Sequence, residues 1–288
     1  MIDLKELIKA GVYFGHQKTR WNPKMAPYIW GHRSGIHLID VSKTANNLEK
    51  AAQFLKTVAE QRKPILWVGT KQAAQQIIGD IAKKLDMPYI NHRWVGGMLT
   101  NYPQVKKSVT KLLHYEDILA KSEDYNYTKK ELNHLLKLSE KLKKNVGGIR
   151  KLSWPIGAIV VVDVKKEDTA VKEAAQSGIP IVALVDTNAD PSAINFVIPA
   201  NDDSPKSIKL ILEYLEKAVQ EGKDKAAQLK IKADEEAAMA HEVAKEEVPG
   251  MLALEADEET ENWDKAKKSK PVASKKPTTD KSKLKSKE

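Results

Sequence analysis

Three short runs of apolar residues constrain the fold of this chain more than any other feature. They are residues 65–68, 158–162 and 181–185, and each is closed by glycine or aspartate and followed by loop residues. The segment after the first run, residues 71–85, has Ala and Ile at helical spacing. Short, continuously apolar strands that alternate with helices predict a parallel sheet covered by helices on both faces. The expected fold class is therefore α/β.

Capping and periodicity signals predict further elements of this sheet domain. Asp3 is the expected N-cap of a short N-terminal helix, residues 11–35 after it are expected to be irregular, and residues 36–40 suggest a strand. Ser42 is the expected cap of the next helix, whose apolar residues recur at helical spacing. Ser204 and Pro205 supply an N-cap and a first helical residue, which predicts a last core helix that ends at Val219.

Two charged segments between the first and second apolar runs carry apolar residues at near-heptad spacing. Thr128 and Glu131 have the spacing of a capping box at the start of the second segment, and Gly147-Gly148 ends it. The turn is expected at residues 125–127. These features predict an antiparallel coiled-coil hairpin that projects from the sheet domain, with stripes that pack on the sheet as the alternative. The two stripes are Val105, Val109, Leu112 and Leu119, and Leu132, Leu135, Leu142 and Val146.

The chain is expected to divide into three parts. Residues 1–102 and 149–220 form the discontinuous α/β sheet domain, and residues 103–148 form the inserted hairpin. Residues 221–288 form a charged tail, acidic at first and basic from residue 265, with Ser, Thr and Pro mixed into its end. Such blocks of charge favour a largely disordered segment, although residues 225–244 are rich enough in Ala for transient helix.

Composition excludes several classes of function. The chain has no cysteine, which rules out disulfides, a thiolate nucleophile and a zinc site with Cys ligands. The formal net charge is +9, so acidic partners are favoured over neutral ones. The N-terminus lacks the apolar core of a signal peptide, and no apolar run is long enough for a membrane span. We therefore expect a soluble, cytoplasmic protein without a membrane partner.

Two windows of the sequence lack acidic residues and interleave cations with aromatic and amide side chains. They are residues 11–39 and 87–115. This combination indicates a polyphosphate partner, and we predict RNA contact there. The alternative is an ordinary solvated loop, but exposed Trp is costly without a packing or binding role. The predicted RNA-binding residues are His16, Gln17, Lys18, Arg20, Trp21, Asn22, Lys24, Arg33, Asn91, His92, Arg93, Trp94, Lys106, Lys107 and Lys111.

The side chains in these windows suit different tasks. Arginine pairs with phosphate in bidentate fashion, and amides such as Asn22 and Asn91 offer hydrogen bonds to sugar or base edges. Trp21 and Trp94 can stack on a base or brace their loops. Bracing is the better reading for Trp94, because the neighbouring Gly96-Gly97 indicates close backbone approach.

An enzyme that binds a nucleotide or sugar phosphate at the Gly69 turn is the alternative function. Gly69, Thr70 and Lys71 lie where a strand ends and a helix begins, the usual place for phosphate in such sheets. The glycine patterns of the known nucleotide loops are absent, however, and so are the hydrolase motifs. Thr70 is therefore better explained as an N-cap. A protein-only scaffold that uses the hairpin is a third reading, but it leaves the first cationic window unexplained.

Carboxylates just beyond the predicted strands are candidate metal ligands. Asp186, Asp202 and Asp203, together with Asp163, follow strands at the edge where open α/β sheets place their sites. With His16 they could hold a divalent cation, the one cofactor that we consider. The simpler explanation, that these aspartates cap loops and helices, is favoured.

The quoted residues also resemble a known family. Gly15-His16-Gln17 and the string from Arg20 to Met25 resemble the opening of bacterial small-subunit ribosomal protein two. The resemblance extends over residues 11 to about 220, and its most specific part is Asn91 to Asn101. Tyr13 stands where the family commonly has histidine. The further matching strings are Val68-Gly69-Thr70-Lys71, Gly147-Gly148-Ile149, Gly178-Ile179-Pro180, Val185-Asp186-Thr187-Asn188 and Ile198-Pro199.

The resemblance implies a fold and a place in the cell. The fold would be a Rossmann-like sheet domain with an inserted coiled-coil hairpin. The protein would be a structural constituent of the small ribosomal subunit, without catalysis and without a homo-oligomer. It would bind small-subunit ribosomal RNA between head and body, beside neighbouring ribosomal proteins. It would also help to dock ribosomal protein one.

Overall fold

The computed structural model describes residues 2–121 and 127–246, with side chains described through residue 231. The residues up to Lys230 form one compact unit. The helices are α1 (Leu4–Lys9), α2 (Val41–Glu60), α3 (Gln72–Lys84), α4 (Tyr102–Ala120), α5 (Lys129–Val146), α6 (Asp168–Gln176) and α7 (Pro205–Glu246). The strands are β1 (Phe14–Gln17), β2 (Ile29–Arg33), β3 (Ile36–Ile39), β4 (Ile65–Val68), β5 (Tyr89–Ile90), β6 (Ala158–Val162), β7 (Ile181–Val185) and β8 (Phe196–Pro199). Three short 3-10 helices lie at Lys18–Arg20, Pro23–Tyr28 and Gly147–Ile149.

The parallel sheet has the strand order β5-β4-β6-β7-β8, and every neighbouring pair is parallel. Alternate side chains leave a strand on opposite faces. Trp67 and Val160 lie in a core shared with α2, α3 and α7, whereas Leu66 and Ile159 lie in a second core with α4 and α6. Helices thus cover both faces, and the predicted Rossmann-like α/β fold is confirmed.

Residues 11–35 were predicted incorrectly as irregular, whereas β3 confirms the strand predicted at residues 36–40. The three N-terminal strands form a second, antiparallel sheet in the order β1-β3-β2. Between β2 and β3, Arg33 pairs with Ile36, and the two turn residues Ser34 and Gly35 have φ angles of 51° and 78°. A two-residue turn with both φ angles positive matches the twist of an antiparallel pair, so this Ser-Gly step is a hairpin signal.

Two predicted helix starts had different outcomes. Asp3 is the N-cap of α1 as predicted, and its side chain accepts a hydrogen bond from the backbone N–H of Lys5. The cap of α2 is Asp40 and not Ser42: the Asp40 carboxylate accepts the backbone N–H of Ser42 at 3.0 Å. A side chain caps N–H groups that follow it, so the cap residue must precede the first turn.

The inserted helical hairpin has the expected form. Helices α4 and α5 contact each other, and the capping box at Thr128 and Glu131 is present. The predicted turn residues Tyr125 and Asn126 lie outside the described residues.

The apolar stripes of the hairpin are buried to different degrees along its length. Val105, Val109 and Leu112 are buried in the same cluster as residues of the parallel sheet. Further along, the stripe residues Leu119, Leu132 and Leu135 are only half-buried. The alternative reading, packing on the sheet, therefore holds for the base of the hairpin.

The last helix is longer than predicted. It begins at Pro205 as expected but runs past Val219 to Glu246, into the segment assigned to the tail. Gly222 continues its contact with α2, because a Cβ on Gly222 would lie 2.4 Å from the carbonyl oxygen of Lys56 and 2.8 Å from the Cβ of Ala59. The change in composition at residue 221 therefore does not end the helix. Residues 247–288, including the basic end of the tail, lie outside the described residues.

Candidate nucleic-acid interface

Both cationic windows lie at the carboxyl edge of the parallel sheet. The loop of residues 91–101 leaves this edge directly after β5. The N-terminal loop is tied to the same edge just past β7, where the backbone N–H of Asn22 donates to the carbonyl of Thr187 at 2.8 Å and that of His16 donates to its hydroxyl at 2.9 Å. Because all strands of this sheet are parallel, the two loops share one edge although they are far apart in sequence.

The N-terminal loop presents most of its predicted RNA-binding side chains to solvent. Met25 is fully buried and anchors the loop. Trp21 is 39% exposed, and its ring lies 5.3 Å from that of His37, so one face of the indole is braced. The exposed polar side chains are Gln17, Lys18, Arg20, Lys24 and Arg33.

Three of the predicted contacts in this loop are already engaged within the protein, and one of them, His16, lies 3.0 Å from the carboxylate of Asp186. The side chain of Asn22 accepts the backbone N–H of Lys24 at 3.0 Å and caps a 3-10 helix. The ammonium of Lys24 lies 2.7 Å from the carboxylate of Asp190, with both side chains about half exposed. Asn22 therefore shapes the loop, and Lys24 is partly neutralised.

In the second loop, some of the predicted RNA-binding residues are exposed and others are half-buried or buried inside the protein. His92 and Arg93 are exposed. Asn91 is half-buried and donates to the backbone carbonyl of Gln75 at 3.2 Å, and Trp94 is only 9% exposed. Trp94 therefore braces the loop, which is the role preferred from the sequence, and it offers no ring face to a base.

Glu173 on α6 organises this loop and was not anticipated. Its buried carboxylate accepts the indole N–H of Trp94 at 3.0 Å and the backbone N–H groups of Gly97 and Leu99 at 2.8 and 3.0 Å. Burial raises the pKa of Glu173, but these hydrogen bonds and one from Thr100 outweigh it, and the net pKa is below its ordinary value. A glutamate on the buried face of a predicted helix was the one available signal.

The third predicted group lies on the first turns of α4. Lys106, Lys107 and Lys111 are exposed and line an open cavity of about 490 Å³ together with His114. The ammonium of Lys111 is 5.6 Å from the centre of the Tyr115 ring. These lysines lie close to the carboxyl edge that carries the two loops, because α4 begins directly after the second loop.

The four candidate metal ligands lie together at the same edge. One ligand atom from each of His16, Asp186, Asp202 and Asp203 lies within 4.8 Å of the others. The His16 Nδ1 is 3.0 Å from Asp186, and its Nε2 is 3.5 Å from Asp203. Asp186 is buried and accepts the backbone N–H of Thr187 at 2.5 Å, so it caps its loop, which is the explanation favoured from the sequence.

Lys71 is the cation at the centre of these carboxylates. Its ammonium lies 2.7 Å from Asp202, 2.6 Å from Asp203 and 3.3 Å from Asp163. Burial lowers the pKa of Lys71, but the hydrogen bonds to Asp202 and Asp203 outweigh it and raise the pKa well above its usual range.

The carboxylates and His16 have shifted pKa values as a result. Burial, followed by repulsion from Asp186 and Asp163, raises the pKa of Asp202 to about 7 despite Lys71. The hydrogen bond to Asp186 raises the pKa of His16 against the opposing effect of burial. The site therefore carries more negative charge than its own cations offset.

The Gly69 turn has a structural role in this protein. Strand order reverses between β4 and β6, which is where a sheet of this kind opens a ligand crevice. Here Lys71 extends from that turn to the carboxylates. Gly69 is required for packing, because a Cβ there would lie 2.2 Å from the Cδ1 of Ile78. The prediction that Thr70 caps α3 is wrong, since its hydroxyl donates to the buried Glu167 and Lys71 is the N-cap.

The parallel sheet, the loops at its carboxyl edge and the hairpin define a class of protein. This class is a Rossmann-like α/β protein with an inserted helical hairpin. None of the helices among the described residues is both long and apolar enough to span a bilayer. The family model of Ribosomal protein S2 matches residues 7–222, more than half of the chain. The chain therefore belongs to the ribosomal protein S2 family, and membership makes it a structural component of the small ribosomal subunit.

Proposed function

We propose that the chain binds small-subunit ribosomal RNA, between head and body, through the carboxyl edge of its sheet. The observation that carries this proposal is a set of exposed, unpaired cations. Within the described part of the chain, Lys18, Arg20, Arg33 and Arg93 form no ion pair. Some lysines elsewhere, such as Lys151 and Lys172, are paired with carboxylates, and those that are unpaired among the described residues, such as Lys5 and Lys83, lie outside both loops. Cations that share one edge without internal partners are suited to phosphate.

The interface works by placement and not by reaction. Buried residues such as Met25, Trp94 and Glu173 hold the two loops, so exposed arginines meet the RNA in a prepared geometry. We infer that the protein has no catalytic activity and acts in the cytoplasm as part of the small subunit. The rival function, a nucleotide-binding enzyme, is less well supported, because Lys71 already engages the carboxylates beside the Gly69 turn.

The experiment compares two double variants of the full chain. R20A/R93A removes one exposed arginine from each loop, and K5A/K83A removes two exposed lysines outside both loops as the matched control. If about six phosphates are neutralised, the logarithm of the RNA affinity should fall with the logarithm of salt at a slope of about −5, and R20A/R93A should make it shallower by about 2. We expect R20A/R93A to be depleted from small-subunit particles after sedimentation and K5A/K83A to be retained. Equal incorporation of the two variants contradicts the assignment.

A nucleotide or sugar phosphate that raised the melting temperature of the isolated protein would support the enzyme instead, because ligands stabilise the state that binds them. We expect no shift with either ligand.

We propose further that the antiparallel sheet and α1 form the docking surface for ribosomal protein one. Trp30 on β2 is 76% exposed, and Ile8, Leu4 and Phe14 are 51%, 44% and 43% exposed. Trp30 and Ile8 line a cavity of about 360 Å³. A cluster of large exposed apolar side chains indicates a protein partner. W30A should weaken binding of protein one by at least about tenfold, while L229A, which truncates another exposed apolar residue, should leave it unchanged.

A divalent cation at the cluster of His16, Asp186, Asp202 and Asp203 is a further part of the proposal. The residues fit such an ion: Asp202 Oδ2 is buried without a hydrogen bond, and the buried His16 Nδ1 lies 3.0 Å from the carboxylate of Asp186. One imidazole and three carboxylates form a donor set known for Zn²⁺ and Mn²⁺. The ion would tie the N-terminal loop to the sheet. Anomalous scattering at the zinc and manganese edges is the test, and a map without a peak near His16 contradicts the proposal.

A further inference from the structure

A second cationic site lies at the opposite, amino edge of the parallel sheet. It is a cavity of about 480 Å³ beside the starts of β4, β5 and β6. Part of its lining is apolar and includes Ala59, Met87 and Pro88. The charged lining residues are five cations and one carboxylate: Arg62, Lys63, Lys151, Lys223, Lys230 and Asp86.

Internal contacts neutralise only part of this charge. Lys151 is paired with Asp86 at 2.6 Å. Arg62 donates to the carbonyl of Ala226 at 2.7 Å, and Lys223 donates to the carbonyl of Leu85. Carbonyl oxygens carry no net charge, so Arg62 remains uncompensated, and Lys223 shares the single negative charge of Asp86 with Lys151.

The C-terminus of α3 explains the position of Lys223. Helix C-termini favour positive charge, and Leu85, whose carbonyl accepts from Lys223, is the C-cap there. The helix C-terminus does not explain Lys63, which forms no ion pair with any described residue. Several like charges around one cavity repel each other, and an anion within it relieves that repulsion.

The walls of the cavity are fixed before any ligand arrives. Helix α7 packs closely on α2 at Gly222, and the hydrogen bond from Arg62 to Ala226 joins the two helices again one turn later. The backbone of Arg62 has a φ of 57° and donates to the carbonyl of Ala59 at 2.9 Å, which fixes the turn before Lys63. A preformed cavity loses little conformational entropy on binding.

We propose that this amino-edge cavity is a second RNA-binding site, which holds a backbone phosphate and the nucleotide attached to it. Lys63, Lys230 and Arg62 supply the charge for the phosphate, and Met87 and Pro88 offer an apolar surface for the ribose or base. Its size is in the range of small-molecule sites, about 300–1,000 Å³. The inference rests on the proposed function, because the ligand is an RNA strand, and it adds a contact on the edge opposite the first interface.

The test uses the full chain and protein-free small-subunit ribosomal RNA made by transcription. K63E/K230E reverses two charges in the cavity, and K5E/K83E reverses two exposed lysines that do not line it. Dissociation constants are measured over a series of KCl concentrations. We expect K63E/K230E to bind at least about tenfold more weakly, with a salt slope shallower by about 1, because the contact with one phosphate is lost. K5E/K83E should stay within about twofold of the wild type, because its lysines make no phosphate contact.

Lysine acetylation of the wild-type protein gives a second, direct measurement. RNA should protect Lys63 and Lys151 from acetylation, and Lys83 should react equally with and without RNA. A free mononucleotide serves as the second probe, and equal protection by it would identify a small-molecule site and overturn the RNA assignment.

The possible results separate the two proposals. If the wild type binds RNA and K63E/K230E binds with the same affinity and slope, the amino-edge site is rejected and the carboxyl-edge interface stands. If R20A/R93A retains wild-type binding while K63E/K230E loses it, the proposed interface fails and the amino-edge site stands. Failure of the wild type to bind RNA rejects both.

Discussion

The indole N–H of Trp94 donates a hydrogen bond of 3.0 Å to the carboxylate of Glu173, and this contact joins the second cationic loop to α6. Further donors to the same carboxylate come from the backbone of the loop. Arg93 precedes Trp94 and is exposed. A single buried acid thus holds the loop that carries Arg93, a proposed phosphate-binding residue, without contacting the RNA itself.

Replacement of Glu173 by Gln should destabilise the protein. The amide keeps the shape of the side chain, but its nitrogen cannot accept a hydrogen bond, so donors of the loop lose their acceptor. We expect a loss of about 2–3 kcal/mol in the free energy of unfolding, measured by urea denaturation. E140Q, at an exposed position of α5, should stay within about 0.5 kcal/mol of the wild type. Similar losses in both variants would show that Glu173 has no special role.

The contribution of Glu173 should depend on pH in one direction. Burial raises its pKa, but the loop hydrogen bonds lower it by more, so the folded protein holds the pKa below the ordinary 4.5. A group whose pKa is lower in the folded than in the unfolded protein stabilises the fold at pH values above its unfolded pKa. This stabilisation is lost as the pH falls through the folded pKa. The difference in unfolding free energy between wild type and E173Q should therefore be constant near neutral pH and shrink below about pH 4.5. A difference that did not change with pH would contradict this account.

The sequence was sufficient for β4, β6 and β7 of the parallel sheet and for β3 of the antiparallel one, but not for the other strands. Strands β4, β6 and β7 are buried along their whole length, so their residues are continuously apolar and recognisable. Strand β1, in contrast, is Phe-Gly-His-Gln, and it is extended because it pairs with β3 across an irregular register. That pairing depends on residues some twenty positions away, and no local pattern records it.

In the candidate site, too, some features could be predicted from the sequence and others could not. Exposed cations such as Arg20 and Arg93 could be predicted, because the absence of acids around them is visible in the sequence. The internal use of Asn22 and Asn91 could not be predicted, since their hydrogen-bond partners are set by the folded loops. Glu173 was missed for the same reason: it lies 79 residues after Trp94, and its place on a helix does not reveal its hydrogen-bond partners.

Two adjacent glycines at the end of the hairpin should respond oppositely to alanine. A Cβ on Gly148 would lie 2.2 Å from the carbonyl oxygen of Tyr89 in β5, whereas one on Gly147 would meet only the Cγ of Lys143 at 3.4 Å. Gly147 also has helical φ and ψ angles of −61° and −37°. We expect G148A to lose about 1–3 kcal/mol of unfolding free energy through overpacking against backbone.

G147A is the matched control and should be neutral or more stable by up to about 1 kcal/mol, because alanine restricts the unfolded chain. Thermal and urea denaturation of both variants provide the measurement. Equal stability of G148A and G147A would show that the approach of the hairpin to β5 is looser than the contact distance implies.

Removal of Lys71 should have a larger effect than removal of an exposed lysine with an equally short ion pair. Lys71 is 19% exposed and faces Asp202, which is 1% exposed, whereas Lys172 and Asp168 are 75% and 60% exposed at a distance of 2.5 Å. K71A leaves buried carboxylates without their cation and should cost about 3–5 kcal/mol. K172A removes a solvated pair on α6 and should cost less than about 1 kcal/mol. Urea denaturation in buffer containing a chelator measures both, so that no added metal ion can replace the ammonium. Equal losses in the two variants would mean that water reaches the carboxylates around Lys71 and screens them as it screens Asp168.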